Sequence, residues 1–541
     1  MKTISSSGSF KDFTNDNFIY IDKTKTIYNL LKTKKRVFIS RPRRFGKSLT
    51  LDTIGTLFEK GVEPYFNGTW IYDKWDESTY PVLRLSFLRY SVSDVEEFKR
   101  RLVKDISNFA KNNNVKNYEE DPTPDGSIDS LLESLKGEQK HVVILIDEYD
   151  CQLTANINNT ELYDSFREVM RSFYGCIKDK EAVKFMFVTG VTRLKDVSIF
   201  SVGSDISDIT NASVYSQMIG FTRDEIKKFY IDYLKLAASY ENNISVEDVT
   251  DDEVEAILNK LAENYDGYCF DEDYEKKVFS TWSVNSFFQT MYDKKKVQYG
   301  EYWYDNGGLP SILVNYLKTH ELNIFEYLDK DKILKVTNDD FKNPTSLTSI
   351  NQNVLMCQTG YLTLKSDLYK TSTVALSIPN GEIYKALNRL LANNIFKGNT
   401  DVTDDEGVNI FEIGSAEDII RLLNSALNSV SYDNYPLTSE SSVQNMIKIY
   451  LLGARQNVLS EVHEAKGRAD LIVELTDRRI VFDFKYAQNE IEAKTKLNEA
   501  IEQIKTRDYG NILPKKKELL RIAAVFNAEP KVRAFTLYTA V

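Results

Sequence analysis

Val37-Phe38-Ile39-Ser40-Arg41-Pro42-Arg43-Arg44-Phe45-Gly46-Lys47-Ser48-Leu49-Thr50 decides how this chain is read. Three apolar residues end a strand, a short loop follows, and Gly46-Lys47-Ser48 opens a run of helix formers from Leu49 to Phe58. A loop between a strand and a helix N-terminus points backbone N–H groups at phosphate oxygens. A lysine there reaches the β/γ-phosphates, and a serine hydroxyl ligates Mg²⁺. Arg44, Phe45, Gly46, Lys47, Ser48 and Leu49 are therefore expected to hold a nucleotide, with Ser48 on the metal. The usual pattern begins with glycine, whereas this chain has Arg41 there. Without a residue that tolerates any φ, the loop must turn differently, with Pro42 fixing φ near about −65°.

Support comes from His141 to Asp150, H-V-V-I-L-I-D-E-Y-D. Five consecutive apolar residues are what a parallel strand buried on both faces requires, and acids at its C-terminal end emerge where α/β sheets bind ligands. Asp147 is expected to join Ser48 in holding Mg²⁺, and Glu148 to orient or deprotonate the attacking water. A further apolar stretch, Val183 to Gly190, runs into T-G-V-T-R-L. This puts Thr189, Thr192 and Arg193 at the phosphate side of the sheet, with Arg193 a candidate for contact with the nucleotide; either Arg193 or the arginine-dense loop of Arg41, Arg43 and Arg44 could serve a neighbour's nucleotide as an arginine finger.

Strands alternating with helices predict a parallel sheet covered on both faces. Pro81 to Phe87 reads as a strand, Val95 to Phe109 as a helix, Asn112 to Ile128 as a surface loop, and about Glu161 to Ile177 as a helix. Phe18 to Thr24 could lie beside the nucleotide's base. From Gly220 a helical lid is expected, opened by a capping box of Thr222 and Glu225. Val354 to Ile378 suggests a helix and hairpin, hence a winged-helix-like connector. The divisions are 1–219 for the ATPase core, 220–347 for the lid, 348–435 for the connector and 436–541 for a last domain.

That last domain carries a second set of acids. Gly467 to Leu475 and Arg479 to Lys485 form a hairpin bearing D…D-x-K. Residues two apart on a strand share a face, so Asp483 and Lys485 point together while Phe482 and Phe484 point into the core. Asp470 and Asp483 are the expected Mg²⁺ ligands, with Glu440 completing the shell and Lys485 positioning water and offsetting phosphate charge. Gln503 lies on the helix that follows.

With 541 residues, 42% hydrophobic, the chain should form several folded domains. Its four cysteines are scattered without C-x-x-C spacing, which speaks against a zinc knuckle or disulfide scaffold and for a reducing compartment. No stretch has membrane-spanning length and the N-terminus lacks an apolar signal core, so a cytoplasmic protein without membrane contact is expected. A net charge of −11 opposes nonspecific nucleic-acid binding by the whole molecule, although basic residues outnumber acidic ones from Glu440 onward.

The chain resembles bacterial AAA-ATPase-like proteins fused to a PD-(D/E)xK nuclease-superfamily domain. The residues that carry the resemblance are Y-I-D-K-T (Tyr20 to Thr24), R-P-R-R-F-G-K-S-L (Arg41 to Leu49), L-I-D-E-Y-D (Leu145 to Asp150), and T-G-V-T-R with S-I-F-S (Ser198 to Ser201). They continue with Y-D-G-Y (Tyr265 to Tyr268), Q-T-G-Y-L-T (Gln358 to Thr363), I-P-N (Ile378 to Asn380) and G-R-A-D-L…F-D-F-K. The resemblance implies ATP binding at Lys47, Ser48, Asp147 and Glu148 and a nuclease-type site at Asp470, Asp483 and Lys485. The fold class that follows is α/β: a P-loop NTPase parallel sheet with a helical lid, plus a C-terminal α/β restriction-endonuclease-like domain. The expected function is ATP binding and hydrolysis coupled to Mg²⁺-dependent action on nucleic acid, DNA favoured over RNA, in a chain that could form a homo-oligomer. The alternative keeps the ATPase as a switch and makes the C-terminal fold a noncatalytic binding module.

Overall fold

A computed structural model describes the chain except residues 16, 195–205, 304–310, 318–319, 321–323, 345, 348, 369, 371, 404–405, 465–466 and 511–516. The S-I-F-S stretch lies outside the described residues. Two compact units are present, one of residues 1–322 and 330–383, the other of 323–329 and 384–541.

The first unit is built on strands β1 (Arg36–Ser40), β2 (Val82–Ser86), β3 (Val142–Asp147), β4 (Val183–Gly190) and β5 (Ser207–Asp208). Their order is β2-β3-β4-β1-β5, and every pairing is parallel. The apolar runs foresee the central strands: Val142 to Ile146 and Val37 to Ile39 are fully buried. Edge strand β2 alternates between buried and half-buried residues, as a strand covered mainly on one face does. The P-loop helix is Lys47–Lys60. The expected surface loop ends early, because Thr123 caps a helix, Pro124–Gly137, whose proline sits in the first turn where its missing N–H costs nothing.

The capping box of Thr222 and Glu225 is present and starts the helix Arg223–Phe229. It leads into Ile231–Asn242, Asp251–Tyr265 and Thr281–Lys294, whose apolar faces form one core with Ile4, Ile19 and Ile21 of the N-terminal segment. A small antiparallel sheet follows, from β6 (Leu334–Thr337), β7 (Thr363–Leu364) and β8 (Thr373–Ser377) in the order β6-β8-β7. The hairpin thus has a third strand that the sequence pattern did not reveal.

The second unit carries strands β9 (Val458–Glu464), β10 (Gly467–Glu474), β11 (Arg478–Ala487), β12 (Glu518–Asn527) and β13 (Ala534–Ala540), ordered β13-β12-β11-β10-β9. Only β11 and β12 are parallel, because the helix Glu490–Arg507 crosses between them; the other pairs are antiparallel. That helix buries Ala500 and Ile504 against Val481 and Ala523. Phe482 and Phe484 stack on each other, and Phe484 also packs against Phe535. Among the described residues no helix is long and apolar enough to cross a membrane.

Candidate functional site

Parallel neighbours β3, β4 and β1 end side by side, so Asp147, Thr189 and the P-loop meet at one sheet edge. Ser48 Oγ donates to Asp147 Oδ2 at 2.6 Å, and Thr189 Oγ1 donates to Asp147 Oδ1. Lys47 Nζ donates to the carbonyl oxygens of Arg41 (2.9 Å) and Pro42 (3.0 Å). Burial pulls the Lys47 ammonium below its ordinary pKa, against the opposing pull of Glu148, Asp147 and Asp150. Gly46, at φ +99°, makes the turn into the helix in a backbone region where a side chain would be strained.

Glu148 also takes a left-handed backbone, φ +51°, immediately after the strand. Its carboxyl lines the cavity beside Lys47 and Ser48 and is raised by burial, with Lys47 offsetting the rise. Asp150 is used otherwise. It is buried and accepts from Thr192 N and Thr192 Oγ1, each at 2.6 Å, so it fixes the T-G-V-T-R turn and leaves Glu148 as the acid facing the cavity.

The cavity measures about 460 Å³ and is lined by Arg44, Phe45, Gly46, Lys47, Ser48 and Leu49, all nominated from sequence, together with Arg43. Its other walls come from Ile19, Tyr20 and Ile21 and from Ile219 to Phe221. Lys23 Nζ binds Glu225 at 2.6 Å and the Gln217 carbonyl at 2.8 Å, tying the N-terminal segment to the first helix of the helical region. Arg193 is placed elsewhere: its guanidinium pairs with Asp208 and does not line this cavity. Asp147 meets the site through Ser48 and is not a lining residue itself.

Motifs with no evident role in the sequence pack around this loop. Thr281 Oγ1 donates to the Arg44 carbonyl at 2.9 Å, and the Arg44 guanidinium lies 4.6 Å from the Trp282 ring centre. Gly360 of Q-T-G-Y-L-T has φ +93°, and a Cβ there would come within 2.8 Å of Pro42. Gly267 of Y-D-G-Y, also at φ +93°, would put a Cβ 2.3 Å from the Pro379 carbonyl oxygen of I-P-N. Asn380 Nδ2 donates to the Asp266 carbonyl at 2.7 Å.

In the second unit, β11 places Asp483 and Lys485 on one face and β10 supplies Asp470. Lys485 Nζ is 2.7 Å from Asp483 Oδ1 and 3.8 Å from Glu440 Oε1. That 2.7 Å contact pairs the Lys485 ammonium with a fully buried carboxylate. Burial pushes the Asp483 carboxyl up to about 6, although Lys485 pulls it down. Burial also raises Glu440; Lys485 is raised because Asp483 and Glu440 outweigh its own burial. Asp470 Oδ2 accepts from the Phe484 amide at 2.8 Å.

Among the described residues no group of three or more His, Cys, Asp or Glu is gathered closely enough to hold a metal ion. Two carboxylates whose remaining ligands come from water and phosphate suit Mg²⁺, and Asp483 Oδ2, buried without a hydrogen-bond partner, fits such a cation. Sequence reading overlooked Arg507. Its Nη1 donates to the Tyr509 hydroxyl at 2.8 Å, Gln503 Nε2 reaches the same hydroxyl at 3.2 Å, and Asp483 and Asp470 act on it electrostatically.

Two family models match parts of the chain. Residues 6–200 match the family model described as a predicted AAA-ATPase, and residues 438–535 match the PD-(D/E)XK nuclease superfamily. An uncharacterized protein in the vnfD 5′ region of Azotobacter chroococcum mcd 1 is 26% identical over 508 residues, covering 92% of this chain and 90% of that one. The crystal structure of Cdc6p from Pyrobaculum aerophilum aligns with 72% of this chain and 99% of its own, with a TM-score of 0.27 and 11% identity. The chain thus joins an N-terminal AAA-ATPase-like domain to a C-terminal domain of the PD-(D/E)XK nuclease superfamily.

Proposed function

We propose that the chain binds and hydrolyses ATP with Mg²⁺ at the P-loop and that its C-terminal domain cleaves nucleic acid, DNA in preference to RNA. The observation that carries the reading is that three neighbouring strand ends bring Lys47, Ser48 and Glu148 to the wall of one cavity, with Asp147 bonded to Ser48 and held in turn by Thr189. Lys47 neutralises the β/γ-phosphates, Thr189 holds Asp147 in place, and Glu148 accepts the proton of the attacking water. Ser48 and Asp147 would hold Mg²⁺ there, and Asp470 and Asp483 would hold it in the second unit with water and phosphate as the remaining ligands, while Glu440, expected from sequence to complete the shell, lies beside Lys485 instead. When bound, the ion supplies positive charge to phosphate oxygens. Lys485, beside Asp483, orients water and offsets phosphate charge.

Within this proposal residues 1–219 are the ATPase core, 220–347 a lid, 348–435 a connector and 436–541 the nuclease-like domain. A cytoplasmic setting accords with four free cysteines. Purified protein incubated with Mg²⁺ and a panel of DNA and RNA substrates, with and without ATP, tests the reading. Cleavage that disappears in Asp483→Ala supports it. If wild type cleaves nothing yet binds nucleic acid as well as Asp483→Ala does, the C-terminal domain is a binding module.

A further inference from the structure

The P-loop R-P-R-R holds three arginines, and the structure employs them differently. Arg41 is buried: its Nη1 donates to the carbonyls of Ser40 (2.8 Å) and Thr210 (2.6 Å), and its guanidinium lies 4.2 Å from the Phe270 ring centre. Arg44 stacks on Trp282 and donates to the Trp303 carbonyl at 3.0 Å. Arg43 is half-buried in the cavity wall with Lys47, Ser48 and Glu148, and among the described residues no hydrogen bond or ion pair engages its guanidinium. Its charge acts on both Lys47 and Glu148. Two cations on one wall, one of them without a protein anion, make a site for a polyanion. Arg193, which the sequence offers beside the loop arginines for such a task in a neighbour's site, is already paired with Asp208.

We propose that Arg43 is an arginine finger supplied in cis, a catalytic residue that binds the γ-phosphoryl oxygens of the chain's own ATP as charge builds there during hydrolysis. The proposal rests on the P-loop being an ATPase site. In the step, the water oxygen forms a bond to the γ-phosphorus as the bond from that phosphorus to the β,γ-bridging oxygen breaks. The electron pair leaves on ADP and the water proton passes to Glu148. A planar guanidinium can bridge two of the transferring oxygens, which an ammonium cannot. Because Arg43 lies four residues before Lys47 on the same loop, it needs no neighbouring subunit.

The test compares wild type, Arg43→Ala and Arg43→Lys for ADP binding, for binding of ADP with aluminium fluoride, and for ATP turnover. Arg43→Ala should keep its ADP affinity, lose the extra affinity conferred by aluminium fluoride, and lose kcat by about 10³-fold, with Arg43→Lys in between. Mixing Arg43→Ala with Lys47→Ala should restore nothing. Wild-type turnover or undiminished aluminium fluoride binding by Arg43→Ala overturns the proposal while leaving the ATPase reading intact. So does activity regained on mixing, which would mean a finger in trans, or equal loss of ADP binding and kcat, which would mean ground-state binding. A wild type that binds no nucleotide overturns both.

Discussion

At the scale of single residues, Asp147 shows how far one side chain can be committed. Both of its oxygens are taken, one by Ser48 and one by Thr189, so it fixes the spacing between loop and sheet. Glu148, next in the chain, faces the cavity, and Glu148→Gln should bind ATP normally while kcat falls by at least about 10²-fold. Single-turnover hydrolysis checks this, and a wild-type rate would move the base elsewhere. In the second unit, Lys485→Ala should abolish cleavage yet keep Mg²⁺ binding in a calorimetric titration, whereas Asp470→Ala and Asp483→Ala should lose both. Gly267 is a matter of stability: its φ of +93° and the 2.3 Å approach to the Pro379 carbonyl predict that Gly267→Ala costs at least about 2 kcal/mol. The shift in urea midpoint measures it.

At the scale of elements, the helix Gly381–Ile395 begins with a buried acid that needs explaining. Glu382 accepts from Ser283 Oγ at 2.6 Å and from the Trp303 amide at 2.7 Å, and burial still pushes its carboxyl up to about 8 from 4.5. A carboxyl raised on folding holds its proton in the native state after the unfolded chain has released it. Its contribution is fully present below 4.5 and is lost as pH rises toward about 8. Wild type should therefore lose stability across that window, on the order of 3–5 kcal/mol, and Glu382→Gln should flatten the slope of thermal unfolding against pH. An unchanged slope would show that the carboxyl is ionised throughout. Elements also mark where sequence reading succeeds. β1, β3 and β4 are legible because strands buried on both faces must be continuously apolar. The two-residue β5 and the third strand of the small sheet are not, since their partners are remote in sequence, and the helix Pro124–Gly137 is hidden because its capped start lies within a polar stretch that reads as loop.

At the scale of the molecule, the two candidate sites lie in two compact units. Strand-end position and spacing nominated Lys47, Asp147 and Glu148 in one unit and Asp470, Asp483 and Lys485 in the other. Which of the candidate arginines lines the cavity could not be chosen, because Arg43 and Arg193 differ only in what the fold brings beside them: an open cavity wall for one and Asp208 for the other. The motifs Y-D-G-Y, I-P-N and Q-T-G-Y-L-T were equally opaque until packing showed them bracing one another and the P-loop. Asp483→Ala should leave ATP binding untouched, as measured by the same nucleotide titration in both proteins. The central claim, a nucleotide site at Lys47, is met most directly by titrating ATP with Mg²⁺ into wild type and Lys47→Ala in a calorimeter. One ATP bound per wild-type chain, with binding lost in a folded Lys47→Ala, is the predicted result; equal binding by the two proteins would contradict it.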